Sequence, residues 1–552
     1  MWRPNYAAIS SVLTALLFAA AGTAAQPTAT PSGRTWQSDG SAADVQKIHD
    51  RQASDGDTIV IPKGTFNWTG TVRLTKAIIL KGQTIRNDDG TSIDNTIIQD
   101  NIPLSANKGL IELKAPGGQR VTGITFVQGR TQVQGNGIIS VSGTTPTRID
   151  HCVFDHVYFS PMINVNDYNY GLVDHCTKRN AIGMEGLLHF RMGALSGDHG
   201  DTPWTLPAGY GGPNFFFVED NLTWGGIDCT LGTRLVVRHN VFMNANMASH
   251  GTGMSLHDGR GARAVELYNN EWHLNGYLLN GSNDGGIIVH DEKIWAKAGN
   301  VTGIGLGNYR SIYNFGPPFL GASGASPWDY NATEADSSHI DGHPPYLFDS
   351  GTISSVAGKV ITVTGKSWTT NQWAGYGFLR PSDGATAAIV SNTSDTLTVN
   401  QWRSQGFAVG NTYQIHKMIR ALDQPGLGAQ VGTMNRKNPR WMQQVTEPCY
   451  EWNNRDQNNN NNLVHFKQQA GGWTIIEGRD YINGTQLPGY TPYTYPHPLT
   501  TSLSPPQPSG GVKVGSRHHF YKKEKNEAKN ARRKKWGRAK ENLTNEMAQP
   551  DR

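Results

Sequence analysis

A six-residue pattern recurs six times between Val121 and Trp272, and it limits the possible folds more than any other feature of the chain. The copies read VTGITF, IDHCVF, VDHCTK, VEDNLT, VRHNVF and LYNNEW. Their first position is always apolar, and their fourth position holds Ile124, Cys152, Cys176, Asn221, Asn240 and Asn270. A repeat at intervals of tens of residues, without helical periodicity, predicts a solenoid of stacked parallel β-strands.

Stacking is required because one copy of the pattern buries too few side chains to fold alone. Strands of successive turns lie roughly 4.8 Å apart, so residues at the same position form ladders and share one core. Asparagine suits the fourth position, since its short side chain tolerates a turn and can bond to the next asparagine in the stack. The abundant glycine, 64 of 552 residues, also fits many short strands and turns.

The repeats, together with DGDTIVIPKGTF at Asp55 to Phe66, resemble the pectin-lyase-like superfamily of right-handed parallel β-helix proteins, the fold of pectate lyases and polygalacturonases. The resemblance implies an all-β fold, with a right-handed parallel β-helix over residues 35–345 and an inward asparagine ladder. The superfamily contains lyases, glycoside hydrolases, esterases, epimerases and phage adhesins. The resemblance therefore implies a fold and leaves the activity to be argued from the site.

The first 25 residues have the composition of a secretory signal peptide. Arg3 precedes an apolar run, Val12 to Ala21. The small residues Thr23, Ala24 and Ala25 follow this run. A buried N-terminal helix is the alternative interpretation. No later stretch is long and apolar enough to cross a bilayer. We therefore expect a protein without a transmembrane segment that is secreted, or held at the cell surface or in the periplasm.

Segments outside the repeats divide the rest of the chain. Residues 26–50 form a lead-in, and ADVQKIHDRQ, residues 43–52, predicts a short helix that caps the first turn. Residues 351–417 alternate apolar and polar residues between turn signals, which predicts a small inserted antiparallel β domain. Its Trp368, Trp373 and Trp402 either fill the domain core or stack on sugar rings. Residues 418–505 are predicted to form closing coils and a proline-rich wrap.

The C-terminal segment, residues 511–552, is strongly basic. It contains thirteen Lys and Arg and five Asp and Glu, a net charge of 13 − 5 = +8, whereas the whole chain carries +5. A solvated tail is one interpretation; the other is a contact with an anionic polymer such as polysaccharide, cell envelope or nucleic acid. We expect the protein to be a monomer.

The four cysteines are too few for a disulfide framework in a chain of this length. Cys152 and Cys176 occupy the same position of successive copies, so they are expected to be stacked neighbours. In-register residues on parallel strands seldom have the torsion that a disulfide needs. The sequence thus favours free, inward-facing thiols.

The candidate site lies on the strands that precede the repeats, which read GIISVSG, PMINVND, GLLHFRM, GGIDCTL, GMSLHDG and GGIIVHD. Alternation turns their large apolar residues inward and the residues between them outward. One outward column is predicted to hold Ser140, Asn164, His189, Asp228, Ser255 and Ile288. Its neighbour is predicted to hold Ser142, Asn166, Arg191, Thr230, His257 and His290. Two adjacent polar columns along one parallel sheet predict the floor of a groove for an extended sugar polymer.

Loops around these strands are expected to wall the groove and to contact substrate. They supply Lys178 in TKRNAIGMEG, His250 in MNANMASHGTG, and His199 and Trp204 in the insertion ALSGDHGDTPWTLPAGYGG. The predicted substrate-binding residues are Asn164, Asn166, Lys178, His199, Trp204 and His290.

The predicted chemistry is β-elimination on a uronate-containing glycan, which needs a cation at the carboxylate and a base for the adjacent C–H. Arg191 could supply the cation, and His189, His257 or Lys178 could act as the base. Histidine has the most suitable ordinary pKa. The predicted catalytic residues are His189, Arg191, Asp228, His257 and His250.

Family motifs match these residues only in part. IDHC at Ile149 to Cys152 resembles a strand of pectate lyases, but their RxPxxRxG pattern and clustered calcium-binding acids are missing. Calcium remains a candidate cofactor, through Asn and Asp oxygens. GIDCTLG and SHGTGMSLHDG resemble the GDDC and GHG segments of polygalacturonases, with Asp228 and His250 matching. Ile227 stands where those hydrolases carry a second Asp, and hydrolysis normally needs two carboxylates.

Three functions remain open from the sequence: a lyase on an acidic glycan, a glycoside hydrolase that uses Asp228, and a non-catalytic glycan-binding or adhesive surface protein. A further outward column, on a different face, holds Asp150, Asp174, Glu219 and Arg238. Its acids could bind a metal or share protons, or they could form a charged rim.

Overall fold

The structure is a computed structural model. It describes residues 33–103, 109–115, 117–129, 137–142, 146–156, 162–167, 169–180, 188–191, 200–249, 260–297, 299–307, 348–374, 376–382, 385–401, 406–416, 423–430, 444–469 and 475–502. The predicted signal peptide, the basic tail and Trp402 lie outside these ranges. No helix of the described part is long and apolar enough to span a membrane.

Three long, largely parallel sheets, which we name A, B and C, account for most of the strands. Through the repeats the chain passes from sheet A to sheet B to sheet C and then returns to sheet A. Thr147–Asp150, Val153–Asp155 and Ile163–Asn166 illustrate one such round, and Gly171–Asp174 begins the next. The prediction of an all-β chain with stacked parallel strands is confirmed at this level.

The strands of each sheet are given in spatial order. Sheet A contains Thr35–Gln37, Thr58–Val60, Ile79–Lys81, Gln119–Thr122, Thr147–Asp150, Gly171–Asp174, Phe216–Glu219, Arg234–Arg238, Ala262–Tyr268, Gly285–His290, Cys449–Trp452 and Tyr481–Ile482. Sheet B contains Gly64–Trp68, Thr96–Asp100, Thr125–Gln128, Val153–Asp155, Thr177–Arg179, Leu222–Trp224, Val241–Met243, Glu271–Leu274, Lys293–Ala296, Arg455–Asp456 and Asn462–Leu463. Sheet C contains Val72–Leu74, Ile111–Leu113, Ile139–Val141, Ile163–Asn166, Leu188–Arg191, Ile227–Thr230 and Met247–Ser249.

Strand register follows the sequence repeat. In sheet A the first positions of the pattern pair in series, Val121 with Ile149 and Val173 with Val218. In sheet B the sixth positions do the same, so Phe126 stacks on Phe154 with ring centroids 5.4 Å apart. Both columns point inward and belong to one buried apolar core. The period-2 alternation of the sequence thus places the core between the sheets.

The fourth position forms a hydrogen-bonded ladder at the turn between sheets A and B. The side-chain oxygen of Asn240 accepts bonds from both nitrogens of Asn221, at 3.0 Å from the backbone N and 2.9 Å from Nδ2. Asn270 accepts the same pair from Asn240. Each amide also donates to a carbonyl of the preceding strand, such as Val218 for Asn240. These contacts satisfy the buried polar groups of the turn.

Glu292 continues this ladder as a fully buried carboxyl group. Its oxygens accept bonds from the backbone N and Nδ2 of Asn270, at 3.1 and 2.8 Å, and from Nε1 of Trp272 at 2.7 Å. Burial outweighs these bonds and raises the pKa of Glu292 to about 8. The folded state therefore keeps a proton that the unfolded chain releases near pH 4.5.

Stability is expected to fall as pH rises from about 4.5 to about 8, because the folded state binds more protons than the unfolded chain in that window. Glu292→Gln should reduce the loss of unfolding free energy between about pH 5 and about pH 8.5, by on the order of 2 kcal/mol. Denaturant unfolding at both pH values measures this. The readout is the change of unfolding free energy with pH and not its absolute value. The substitution also removes a hydrogen bond at every pH, because an amide nitrogen cannot accept the one from Trp272 Nε1. Glu271→Gln, at a half-exposed neighbour, should keep the wild-type slope; equal slopes in all three proteins would contradict the assignment.

The N-terminal end of the core is covered by helix α1, Ala42–Arg51, as the sequence predicts. The Ser41 side chain caps the helix by accepting a bond from the backbone N of Asp44. Val45 and Ile48 of the helix pack into the core. A second, short helix, α2, spans Asp201–Trp204, and a 3-10 helix spans Pro498–Thr500.

Four smaller sheets complete the described part. A parallel sheet, D, contains Leu278–Ser282, Gly303–Leu306 and Phe466–Gln468. An antiparallel sheet, E, contains in spatial order Asp349–Thr352, Thr412–His416, Gly377–Arg380, Ala385–Asn392, Thr396–Gln401, Val360–Thr362 and Ser355–Ala357. Two-stranded pairs join Ile85–Arg86 to Ser92–Ile93 and Leu427–Gln430 to Gln444–Thr446.

Sheet E has a core of its own, separate from that of the parallel sheets. Trp368 and Trp373 lie in this core and are only 8% and 6% exposed. Their rings meet edge to face, with centroids 6.4 Å apart. Buried rings do not present a face to sugars, so these two tryptophans fill the core of sheet E.

The outward face of sheet A is covered by residues 490–502, which we name the strap. Arg238 donates to the carbonyl oxygens of Tyr493 and Thr494 at 2.6 and 2.8 Å. Glu219 accepts a bond from the backbone N of His497 at 2.9 Å. Arg238 and Glu219 also pair with each other at 2.7 Å, so the strap adds backbone partners to a buried ion pair.

The four cysteines are free and buried. Cys152 and Cys176 are stacked neighbours of the fourth-position ladder, and burial raises the pKa of the Cys176 thiol well above its ordinary value. The prediction of unpaired, inward thiols is confirmed.

Candidate functional site

One row of outward residues crosses sheet C from end to end. Strand register pairs Arg73 with Glu112, Glu112 with Ser140, Ser140 with Asn164, Asn164 with His189, His189 with Asp228 and Asp228 with Ala248. The sequence predicts the central four of these residues in this order. It does not include Arg73 and Glu112, which precede the repeats. Both residues are predictable from the alternation of apolar and charged residues in VRL, residues 72–74, and IEL, residues 111–113.

His189 and Asp228 form a partly exposed, ionisable pair in this row. Nε2 of His189 lies 3.6 Å from Oδ2 of Asp228, and the two side chains are 24% and 41% exposed. The separation is too long for a hydrogen bond but allows an ion pair when the imidazole is protonated. An imidazole that gains a proton here would therefore be stabilised by the neighbouring carboxylate.

Asn164, the next residue of the row, is 3% exposed, and its Oδ1 has no hydrogen-bond partner among the described residues. A buried amide oxygen without a donor costs free energy, on the order of 1–3 kcal/mol. Because this oxygen is itself buried, it is an unsatisfied polar group beside the partly exposed His189 and not a surface contact for a ligand. The accessible chemistry in this part of the row is therefore that of the His189 and Asp228 pair.

The second predicted column is present over three strands. Asn166 pairs with Arg191, and Arg191 pairs with Thr230. Arg191 lies two residues after His189 in the strand Leu188–Arg191. The sequence therefore places a cationic residue type next to His189 along the same strand.

The predicted continuation of the groove beyond Asp228 is wrong. The strand that pairs with Ile227–Thr230 is Met247–Ser249, which the sequence assigns to a loop. GGIIVHD belongs to sheet A, where Gly285–His290 pairs with Ala262–Tyr268. The prediction failed because alternation identifies an inward face but not the sheet that a strand joins.

His290 consequently lies away from the sheet C row. It is 3% exposed and stacks between Tyr268 and Trp452, with centroids at 4.7 and 4.3 Å. Its Nδ1 is 2.7 Å from Oδ2 of Asp291. These contacts make His290 part of the packing on the outward face of sheet A, which corrects its prediction as a groove residue.

Lys178 is not in a groove-walling loop. It lies in the strand Thr177–Arg179 of sheet B, in register with Phe154 and Thr223, and is 2% exposed. This is the column in which Phe126 and Phe154 point inward. The prediction failed because the strand continues beyond the fourth position and turns the lysine into the interior.

Trp204 is also buried rather than exposed to substrate. It ends helix α2, is 0% exposed, and donates from Nε1 to the Gly261 carbonyl at 2.9 Å. The guanidinium groups of Arg260 and Arg263 lie 5.0 and 5.2 Å from its ring. Two buried cations over one ring give Trp204 a structural contact of the cation–π type. The prediction that Trp204 is exposed in a groove wall is therefore wrong.

Three predicted residues, His199, His250 and His257, lie outside the described residues, as do Ser255 and the side chain of Arg191. Within the described ranges, no group of three or more His, Cys, Asp or Glu side chains is arranged to hold a metal ion.

The acidic column on sheet A pairs with arginines. Asp150 accepts two 2.6 Å bonds from Arg120, and Asp174 accepts bonds from Arg148 at 2.9 and 2.8 Å. Burial opposes their ionisation, but the arginine bonds prevail and hold the pKa of both carboxyls below the usual range. Glu219, in contrast, has its pKa raised to about 7 by burial. The column is a buried ion-pair network under the strap and not a shared-proton site open to substrate.

The sequence comparisons add no assignment: no family model, curated protein or solved structure matches the chain.

Proposed function

We propose that sheets A, B and C form a right-handed parallel β-helix of the pectin-lyase-like kind, and that the protein cleaves an acidic, uronate-containing polysaccharide by β-elimination at the His189 end of sheet C. The row Asn164, His189 and Asp228 carries this proposal. It joins a partly exposed imidazole and an adjacent carboxylate, and the buried amide of Asn164 lies beside them in the same row.

In the proposed reaction neutral His189 removes the proton next to the uronate carboxylate. The C–H electrons form a carbon–carbon double bond as the neighbouring glycosidic C–O bond breaks, and the leaving oxygen takes a proton from water. Asp228 stabilises the resulting imidazolium, since it lies 3.6 Å from Nε2. Arg191 is proposed to neutralise the substrate carboxylate, which makes the adjacent C–H more acidic.

Carboxylate spacing favours elimination over hydrolysis. Glycoside hydrolysis uses two carboxyl groups about 5–10 Å apart. Along the described row, the next carboxylate after Asp228 is Glu112, four strands away, or about 19 Å at the usual strand spacing. A base and its stabilising carboxylate are present in that row, whereas a second hydrolytic acid is not.

Uronate polymers such as pectate, alginate and glycosaminoglycans are expected to yield unsaturated ends, which absorb ultraviolet light, together with new reducing ends. His189→Ala should lower kcat by about 100-fold or more, as loss of a general base does. His156→Ala is the matched control, because His156 is 64% exposed and follows the sheet B strand Val153–Asp155, away from the sheet C row. Reducing ends without ultraviolet absorbance would contradict elimination and indicate a hydrolase. No product from any glycan would contradict both activities and indicate a non-catalytic binding protein.

Export is also proposed, on the composition of residues 1–25. A chain produced in a secreting host should begin after Ala25, which intact-mass analysis measures. Retention of Met1 in exported protein would contradict the proposed signal peptide.

A further inference from the structure

The sheet C row contains exposed residues on both sides of a buried stretch. Arg73 is 48% exposed at one end, and Asp228, one strand from the other end, is 41% exposed. Glu112, Ser140 and Asn164 between them are each less than a tenth exposed. Arg73 and His189 are four strands apart, about 19 Å. Anything bound at Arg73 therefore occupies a place separate from the His189 pair.

A cavity of about 660 Å³ opens beside Arg73. Helix α1 forms one wall with Gln46 and Asp50, and Ile102 and Pro103 form an apolar wall. This volume lies within the range of cavities that hold small ligands, about 300–1,000 Å³. Polar groups on one side and apolar groups on the other suit a sugar ring, which has a hydroxyl edge and a C–H face.

Arg73 gives the cavity an anion-binding group. Its Nε donates to Glu112 at 2.7 Å, while within the described part no hydrogen bond is made by its two terminal nitrogens. Lys114 also contacts Glu112, at 3.3 Å, so this acid faces two cations. Burial opposes the ionisation of Glu112, but the two cations hold its pKa below the usual value. With Asp50 in the helix wall, the charges of Arg73, Lys114, Glu112 and Asp50 sum to zero, and the terminal nitrogens of Arg73 offer a guanidinium edge to a carboxylate.

Hydroxyl and amide groups complete the lining. Thr69, Thr71 and Thr75 line the cavity next to Arg73. Gln46 is held in place, because Oε1 accepts the backbone N of Arg73 at 2.7 Å and Nε2 donates to Asp50 at 2.9 Å. These contacts fix the cavity walls before any ligand binds, which reduces the entropy cost of binding.

We propose that this cavity is a second glycan-binding site, which takes a uronate-bearing sugar through Arg73 and raises the affinity of the protein for long chains. The inference rests on the proposed function for its substrate class. A polymer that occupies both places gains avidity, whereas a short oligosaccharide occupies one.

Arg73→Met tests the cavity through chain length. It should raise KM for a uronate polymer at least fivefold and leave KM and kcat for a short uronate oligosaccharide within twofold of wild type. Thr75→Val, which removes a hydroxyl without changing charge, should raise KM for the polymer in the same selective way. Arg51→Met is the control for charge, because Arg51 lies on helix α1 outside the cavity lining. Equal effects on polymer and oligosaccharide, or none on either, would overturn the second site.

Calorimetric binding of a uronate oligosaccharide separates this inference from the proposed function. Binding that Arg73→Met weakens at least fivefold, and His189→Ala does not, supports the cavity even if no glycan is cleaved. Binding that Arg73→Met leaves unchanged overturns the cavity while leaving the proposed cleavage intact. No binding to wild-type protein, together with no cleavage, overturns both.

Discussion

Asp423→Asn is expected to lower the free energy of unfolding by about 3–5 kcal/mol, the usual result of removing one charge from a buried ion pair. Asp423 and Arg260 are both 0% exposed and form two hydrogen bonds, at 2.7 and 2.5 Å. Asp423 also accepts bonds from the backbone N of Gly261 and from Nε2 of Gln444. Asparagine has nearly the same shape but removes the carboxylate charge that faces the buried Arg260 guanidinium.

Glu271→Gln is the matched control for this variant. Glu271 pairs with Lys293 at 3.2 Å, but the two side chains are 39% and 58% exposed. An exposed pair contributes about 0–1 kcal/mol. Denaturant unfolding of both variants measures the contrast, and a loss below about 1 kcal/mol for Asp423→Asn would show that the pair does not stabilise the fold.

Asn240→Ala should cost about 3 kcal/mol or more, because Asn240 is the centre of the ladder. Its Oδ1 accepts two bonds from Asn221, and its Nδ2 donates to the carbonyls of Val218 and Arg238. Alanine leaves the buried backbone N of Asn221 without its Asn240 acceptor, removes one of the three acceptors of Asn221 Nδ2, and opens a void of several atoms. Loss of one turn of a stacked fold also weakens its neighbours, since each turn contacts only the turns beside it.

Asn67→Ala provides the comparison. Asn67 is an exposed strand residue whose Oδ1 accepts one bond, from Asn101 at 2.6 Å. Its removal should cost less than about 1 kcal/mol. Thermal and denaturant unfolding of the two variants measure the difference. Similar losses of unfolding free energy in both would mean that the ladder adds nothing beyond ordinary hydrogen bonds.

The site was predictable where its residues belong to the repeat. Asn164, His189 and Asp228 were placed in one row from alternation alone, and their register agrees. The two other ionisable residues of that row, Arg73 and Glu112, come from turns that precede the repeats, so the repeat could not identify them. Their placement required the pairing of Val72–Leu74 with Ile111–Leu113.

Exposure was the least predictable property. Trp204 was expected in a groove wall, but Arg260 and Arg263 hold its ring in a buried site. His290 was expected in the groove, but it stacks between Tyr268 and Trp452. Polar or aromatic residue type does not determine exposure, because a distant segment can cover either side of a sheet.

The sequence by itself determined the stacked parallel strands, the inward columns and the asparagine ladder. The physical reason is that alternation and turn chemistry depend on neighbouring residues and repeat at each turn of the chain. Only the tertiary structure decided which sheet each strand joins and which outward face is covered. Arg238 is bonded to Thr494, 256 residues away, and Arg260 to Asp423, 163 residues away. Contacts at such separations depend on packing between whole segments, which no local pattern specifies.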